Sequence, residues 1–216
     1  MQTLAQRFLT AAERQRISEA TRQAEALTSG EIVPMVVSAS HDYPLAAIVG
    51  AVVFALPPAL ALTPFIAAPL WLGHQDTWIF LALFCLFALP AHALIRRTPA
   101  LKRWFLNADQ IDEEVREAAV TAFFNERLYR TRQENGILIF ISVLEHRVWV
   151  LADNGINSRI RPEQWQEIVD HITSGIKEKR QGEAIGEAIA RVGEILRDHF
   201  PITADDPNEL HDLIIR

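Results

Sequence analysis

The chain has 216 residues, half of them hydrophobic, with a formal net charge of -6 and a single cysteine, Cys85. That balance, with no interleaving of aromatic and basic residues, excludes a surface built for nucleic acid, and one cysteine excludes an intrachain disulfide framework. Charge is spread unevenly, with -1 over residues 1–44, -1 over an apolar block at 45–95 and -4 over residues 96–216.

The first flank reads as a helix followed by a strand. Thr10 and Glu13 have capping-box spacing, and Ile17, Ala20, Ala24 and Leu27 recur at helical intervals before Thr28-Ser29-Gly30 stops the pattern. Glu31 to Ser38 has strand character, and Pro34 places it at an edge or at the strand's beginning because proline offers no ladder donor. One helix and one strand cannot bury a core, so this segment needs a partner elsewhere in the chain.

Between Tyr43 and Arg96 Asp76 is the one formally charged residue. As a single helix, Leu45 to Ile95 would reach about 76 Å, against roughly 30 Å of bilayer hydrocarbon, so the block must fold back. Gly73-His74-Gln75-Asp76 is the natural turn, since an aspartate at mid-membrane costs about 2.5–3.5 kcal/mol and little at the interface. The first span is expected over Leu45–Pro64 with a kink near Pro57-Pro58, followed by an interfacial Pro69–Trp71 stretch. Thr77–Ile95 gives the second, and it encloses Cys85 as an inert thiol. Arg96, Arg97, Lys102 and Arg103 follow the block, whereas the connecting loop 65–76 has no Lys or Arg, which predicts cytosolic termini. Trp78 opens the second span at a polar border, and Trp104 beside Lys102 and Arg103 forms an interfacial foot.

Beyond the block, Leu106 to Tyr129 is an amphipathic helix with Ile111, Val115, Ala118 or Ala119, Ala122 and Leu128 on or beside one stripe. Gly136 precedes an almost continuous apolar run, Ile137–Val143, and Leu144-Glu145-His146 turns the chain into Arg147–Ala152. A connection that short requires antiparallel pairing. After Asp153-Asn154-Gly155, one helix starts at Pro162 and another runs over Gln181–His199 until Pro201. Gly182, Gly186 and Gly193 are costly helix residues, which points to close contact of that helix with its neighbours.

Three strands and four helices from the two flanks suffice for one α/β domain, in which the apolar hairpin is an insertion. The expected divisions are 1–43, the hairpin 44–95, the remainder 96–201 and a tail 202–216. Among polar residues, Glu31, Ser38, Ser40, His41 and Asp42 surround the first strand, and Asp153 with Asn154 follows the third. Converging carboxylate and amide oxygens, with Asp153, Asn154 and Glu31 as candidates, suit a hard divalent cation such as Ca or Mg; Asp153-Asn154-Gly155 is equally good as a turn. His146 reads as a turn residue, and Trp149 as a cover on the sheet. No P-loop, dinucleotide fingerprint, His-Glu-x-x-His motif or cysteine pair is present in the sequence.

The order of motifs resembles the TPM domain family, which includes thylakoid-lumen photosystem-repair proteins and bacterial membrane-anchored relatives. The resemblance runs through Leu9-Thr10, Thr28-Ser29-Gly30-Glu31-Ile32-Val33, Gly136 to Ser142, Glu145-His146-Arg147-Val148, Ala152 to Ile156, and the region of Gly182 and Gly186. It implies a three-layer α/β/α sandwich around a small mixed sheet, interrupted here by a two-helix transmembrane hairpin. Some members are assigned acid-phosphatase activity or divalent-ion binding; others act in assembly or repair of membrane complexes or modulate receptors. The family's glycine-rich turn after the third strand is Asp153-Asn154-Gly155 here, and the internal hairpin departs from relatives anchored at one end. Two functions follow: a membrane-anchored interaction or assembly module, or a divalent-ion-dependent phosphatase acting on phosphomonoesters. The expected setting is the bacterial cytoplasmic membrane, with the lipid bilayer and a membrane protein or a second copy as partners.

Overall fold

The structure, a computed structural model, describes residues 3–68, 76–131, 133–202 and 211–216. The chain divides into two compact units, residues 1–41 with 112–216, and residues 42–111. The first unit is therefore assembled from two chain segments, and residues 96–111 group with the apolar helices.

In the discontinuous unit, α1 (Leu4–Phe8) and α2 (Ala11–Glu25) precede β1 (Glu31–Val37). Both helices start in capping boxes; in the second, the Thr10 N–H donates to Glu13 at 2.8 Å while the Glu13 N–H donates to the Thr10 hydroxyl at 3.3 Å. The helix α6 (Ala108–Asn125) spans the boundary between units, and it is shorter than its apolar stripe suggests. Arg127, at φ 60°, reverses the chain into a 3-10 turn at Leu128–Arg130. Strands β2 (Gly136–Ser142) and β3 (Arg147–Ala152) follow, then a short helix α7 (Asn154–Asn157) and the long helices α8 (Pro162–Lys177) and α9 (Gln181–Arg197). To keep chain-order labels, the helices of the other unit are α3 (Pro44–Ala67), α4 (Asp76–Arg97) and α5 (Pro99–Arg103).

The sheet is mixed, in the order β3-β2-β1-β4, where β4 (Ile214–Ile215) comes from the tail. β1 pairs in parallel with β2 and with β4, and β2 pairs antiparallel with β3 through the short Leu144–His146 turn. Register sorts the side chains cleanly, because residues in line across strands share a face. Ile32, Pro34 and Val36 align with Ile137, Ile139 and Ile141, and these with Ala152, Val150 and Val148. That face carries the main core, closed by Ile17 and Ala24 of α2, Ile168 and Ile172 of α8, and Ile185, Ile189, Val192 and Leu196 of α9. The opposite face presents Val33, Met35 and Val37 beside Leu138, Phe140 and Ser142. Helices thus flank a central sheet in a mixed α/β core.

Pro34 explains the placement of the tail. Ile32, Pro34 and Val36 turn their backbone groups, and Ser38 its N–H, to the outer side of β1, where Ile32 N–H donates to Glu25 at 3.0 Å and the Val36 carbonyl accepts from Arg216 N–H at 2.9 Å. Proline occupies the outer position between these bonds, which needs no donor. The edge expected from the sequence is real over the first half of β1 and is covered by β4 over the second, where Met35 and Val36 pair with Ile214 and Ile215.

In the other unit, α3 is helical from Pro44 to Ala67 with Pro57, Pro58 and Pro64 inside it, so the helix continues past the expected end at Pro64. It packs against α4, and the two run antiparallel: a Cβ added to Gly50, near the start of α3, would meet Ile95, near the end of α4, at 2.6 Å. Ala47, Ala51, Ala55, Ala59 and Ala67 lie buried along the seam, and Thr63 falls in the same four-residue series with its hydroxyl donating to the Ala59 carbonyl at 2.7 Å. Small residues every fourth position allow close helix approach without large interlocking side chains. The expected turn at 73–75 and the interfacial stretch 69–71 lie outside the described residues.

Candidate functional site

In open α/β sheets the carboxyl ends of parallel strands are where crevices form. β1 and β2 end at Val37 and Ser142, and there the chain builds both a buried polar network and a cleft. The cleft has a volume of about 480 Å³ and is floored by Met35, Val37 and Phe140. Glu114, Glu117, Thr121 and Asn125 of α6 form one wall, and Ser38, Ser40 and Arg216 form another.

Glu145 anchors the network. It is 1% exposed, and a carboxylate removed from water needs donors on both oxygens. Ser40 N–H donates to Oε1 at 2.9 Å, the Ser142 hydroxyl donates to Oε2, and the Ser40 hydroxyl donates to the Ser142 oxygen at 3.0 Å. The turn that makes this work holds His146 at φ 55°, and Val143 and Leu144 N–H donate to the carbonyls of Val37 and Ser38. Thus the end of β1 and the β2–β3 turn are locked together through one acid. Ser38 has a structural task instead: its hydroxyl accepts from Ala5 N–H and donates to the Arg216 carbonyl, each at 3.1 Å. Arg216 in turn reaches Glu126 at 2.5 Å. The cleft thus combines a half-buried hydroxyl and an apolar floor with the carboxylates of Glu114 and Glu117 on one wall and Arg216 on the other.

The residues singled out from the sequence fall at two different places. Ser38 and Ser40 lie at the cleft, whereas Glu31 opens β1 at the opposite end of the sheet. Because β3 runs antiparallel, it delivers Asp153 to the Glu31 end: Glu31 pairs with Gly136, and the Asp153 N–H donates to the Gly136 carbonyl at 2.9 Å. One strand therefore separates the two carboxylates, with backbones roughly 10 Å apart. Asp153 caps α7, its Oδ1 accepting from Asn154 N–H at 2.7 Å, and Asn154 is exposed in the first turn. Among the described residues no group of three His, Cys, Asp or Glu side chains is placed to hold a metal ion, and none of them supports the phosphatase alternative with such a site. Gly136 leaves room for the 3-10 turn, since a Cβ there would lie 2.4 Å from the Leu128 carbonyl oxygen.

Ser142, Glu145 and Arg216 were not legible as site residues. Ser142 is the polar end of an apolar run and Glu145 sits in a turn, and either is ordinary until the strand directions are known.

Residues 104–195 match the TPM domain family. A TPM-domain region is present. The TPM-domain match takes in β2, β3 and most of the flanking helices, including Ser142 and Glu145, and leaves β1 and the tail outside it. The NMR structure of BA42 protein from the psychrophilic bacteria Bizionia argentinensis sp. nov. is similar in fold, with a TM-score of 0.58 at 21% identity over 96% of this chain and 94% of that one. No curated protein matches the chain.

Proposed function

We propose that the chain is a membrane-anchored interaction or assembly module, in which the α3–α4 hairpin spans the bilayer and the domain containing the TPM region meets a membrane-protein partner on the cytosolic side. The observation that carries this reading is the outer surface of the helix pair. Both helices are long and apolar enough to cross a membrane, and unlike a soluble core helix they leave their large side chains outside: Leu45 is 67% exposed, Phe65 77% and Leu89 72%. Moving each such side chain from water to hydrocarbon is worth about 1.5–3 kcal/mol. Polar groups mark the borders, with Trp78 near the start of α4 and Arg96 and Arg97 in its last turn, followed by Lys102, Arg103 and Trp104. The excess of cations at that end supports cytosolic termini.

Two experiments test the reading. With Cys85 replaced by alanine, single cysteines at the exposed positions 19 and 163 and at position 75 are treated with an impermeant maleimide in sealed cells. Labelling at 75 alone is expected; labelling of 19 and 163 from outside overturns the cytosolic placement, and extraction of the chain by alkaline carbonate overturns the anchor. For the interaction role, a photo-crosslinking residue at Glu117 or Thr121 should give a discrete adduct with an integral membrane protein in native membranes. Adducts no different from those at Glu163, on the surface of α8, would sink it.

A further inference from the structure

A cavity of about 410 Å³ lies within the helical unit where α3 begins and α4 ends. Its lining includes Asp42, Tyr43, Ala47, His92, Arg96 and Lys102. His92 and Arg96 are one turn apart on α4 and so share a face. Lys102 of α5 lies 5.8 Å from the centroid of the Tyr43 ring, which sets its ammonium stem against a buried aromatic wall. Neither Arg96 nor His92 has a hydrogen bond or ion pair among the described residues. Tyr43 starts α3 at φ 45° without a side-chain cap, so the first turn adds its own partial positive charge. Beside the cavity the surface of α3 is apolar, with Leu45 and Ile48 exposed.

We propose that this cavity binds the phosphodiester of an anionic phospholipid headgroup, an inference that rests on the membrane reading above. Arg96 and Lys102 supply the cations, the His92 ring a further hydrogen-bonding group, and the exposed Leu45 and Ile48 the path for acyl chains. Charge selects the ligand. Arg96 and Lys102 against Asp42 leave an excess of fixed positive charge in the lining, which suits an anionic phosphodiester, and the exposed apolar flank suits its acyl chains and not free phosphate. The cations also lie at the end of the hairpin that the charge bias assigns to the cytosolic leaflet, where anionic lipid attracts basic residues.

The test uses the full chain in nanodiscs of phosphatidylcholine with and without phosphatidylglycerol, read by native mass spectrometry of retained lipid. Wild type should retain phosphatidylglycerol in preference to phosphatidylcholine, and Arg96→Gln with Lys102→Gln should lower that retention at least tenfold. Arg97→Gln is the control, because Arg97 is the adjacent cation and does not line the cavity. A less than twofold effect there supports a built site, whereas a loss equal to that of the double variant means general surface attraction and overturns it. Equal retention of the two lipids, or displacement of phosphatidylglycerol by millimolar inorganic phosphate, also overturns it. Carbonate extraction of the same proteins separates the two levels of failure: a chain that stays in the membrane without lipid preference refutes this site alone, and a chain that leaves it refutes the anchor.

Discussion

Gly186 and Gly193 lie on the same helix and make opposite predictions. Replacing a helix-interior glycine by alanine gains about 1 kcal/mol from propensity wherever the Cβ finds room. At Gly186 a Cβ would meet only the Ala20 Cβ at 3.9 Å, an ordinary contact, so Gly186→Ala should stabilise by about that amount. At Gly193 it would lie 2.7 Å from the Ala24 Cβ and 3.0 Å from the Ala24 Cα, short of the roughly 3.5–4.0 Å that carbon atoms prefer. Backbone cannot swing aside as a long side chain can, so α2 and α9 must separate where Val192 and Leu196 fill the core. Overpacking of this kind costs about 1–3 kcal/mol, which cancels or exceeds the propensity gain. The two variants should therefore differ by about 1–3 kcal/mol in urea unfolding of the full chain in mild detergent, followed by tryptophan fluorescence. Adding Ala24→Gly should rescue Gly193→Ala beyond additivity and leave Gly186→Ala unaffected. Equal stabilisation by both single substitutions would refute the close-packing account of this seam.

Three further outcomes follow from buried groups and from the tail. The Glu25 carboxyl is pushed up from 4.5 to about 8 because burial penalises its charged form, with Glu31 and Asp212 adding repulsion against the opposing hydrogen bond from Ile32 N–H. A raised folded-state value stabilises below 4.5 and loses that contribution as pH climbs through 8; urea midpoints should decline across this window, and Glu25→Gln should flatten the decline. Glu145→Ala leaves the Ser40 N–H and Ser142 hydroxyl without their acceptor, at about 1–3 kcal/mol for each group, whereas Glu145→Gln keeps an acceptor oxygen and should cost at least about 1 kcal/mol less in the same assay. Deleting residues 211–216 removes the Arg216 bonds to Val36 and Ser38 and the packing of Leu213 and Ile215. A loss of about 2–3 kcal/mol and self-association seen by light scattering are expected, since the edge of β1 is then uncovered.

Local signals in the sequence were strong where chemistry is local. Thr10 and Glu13 announced a capping box, the short Leu144–His146 turn announced an antiparallel pair, and the glycines of α9 announced close contacts, although a Cβ at Gly186 would meet nothing nearer than the Ala20 Cβ at 3.9 Å. Short elements escaped for lack of periodicity: α1 has five residues, α7 four and β4 two, and β4 forms only against a partner far along the chain. Ile214-Ile215 becomes a strand because the outer edge of β1 is open beyond Pro34, a fact set by the fold and invisible in the tail's own composition. The block at 45–95 was legible as two apolar helices from charge alone, yet its alanine seam is visible only once α3 and α4 face each other.

Strand direction decided which polar residues could act together. Glu31, Ser40 and Asp153 look equivalent in the sequence, each a polar residue at a strand boundary. With β1 and β2 parallel, their carboxyl ends gather Ser40, Ser142 and the Glu145 turn; with β3 reversed, Asp153 returns to the amino ends beside Glu31. A one-residue slip of β2 against β1 would move Ser142 from the cleft face to the core face and bury a hydroxyl among isoleucines. The buried Glu145 bridge opposes that slip, because its two oxygens are satisfied only when Ser40 and Ser142 arrive together. The same acid that shapes the cleft thus fixes the register on which the cleft depends, so Glu145→Ala should disturb amide exchange along β1 and β2 together, while substitution of the capping Asp153 should leave those strands protected.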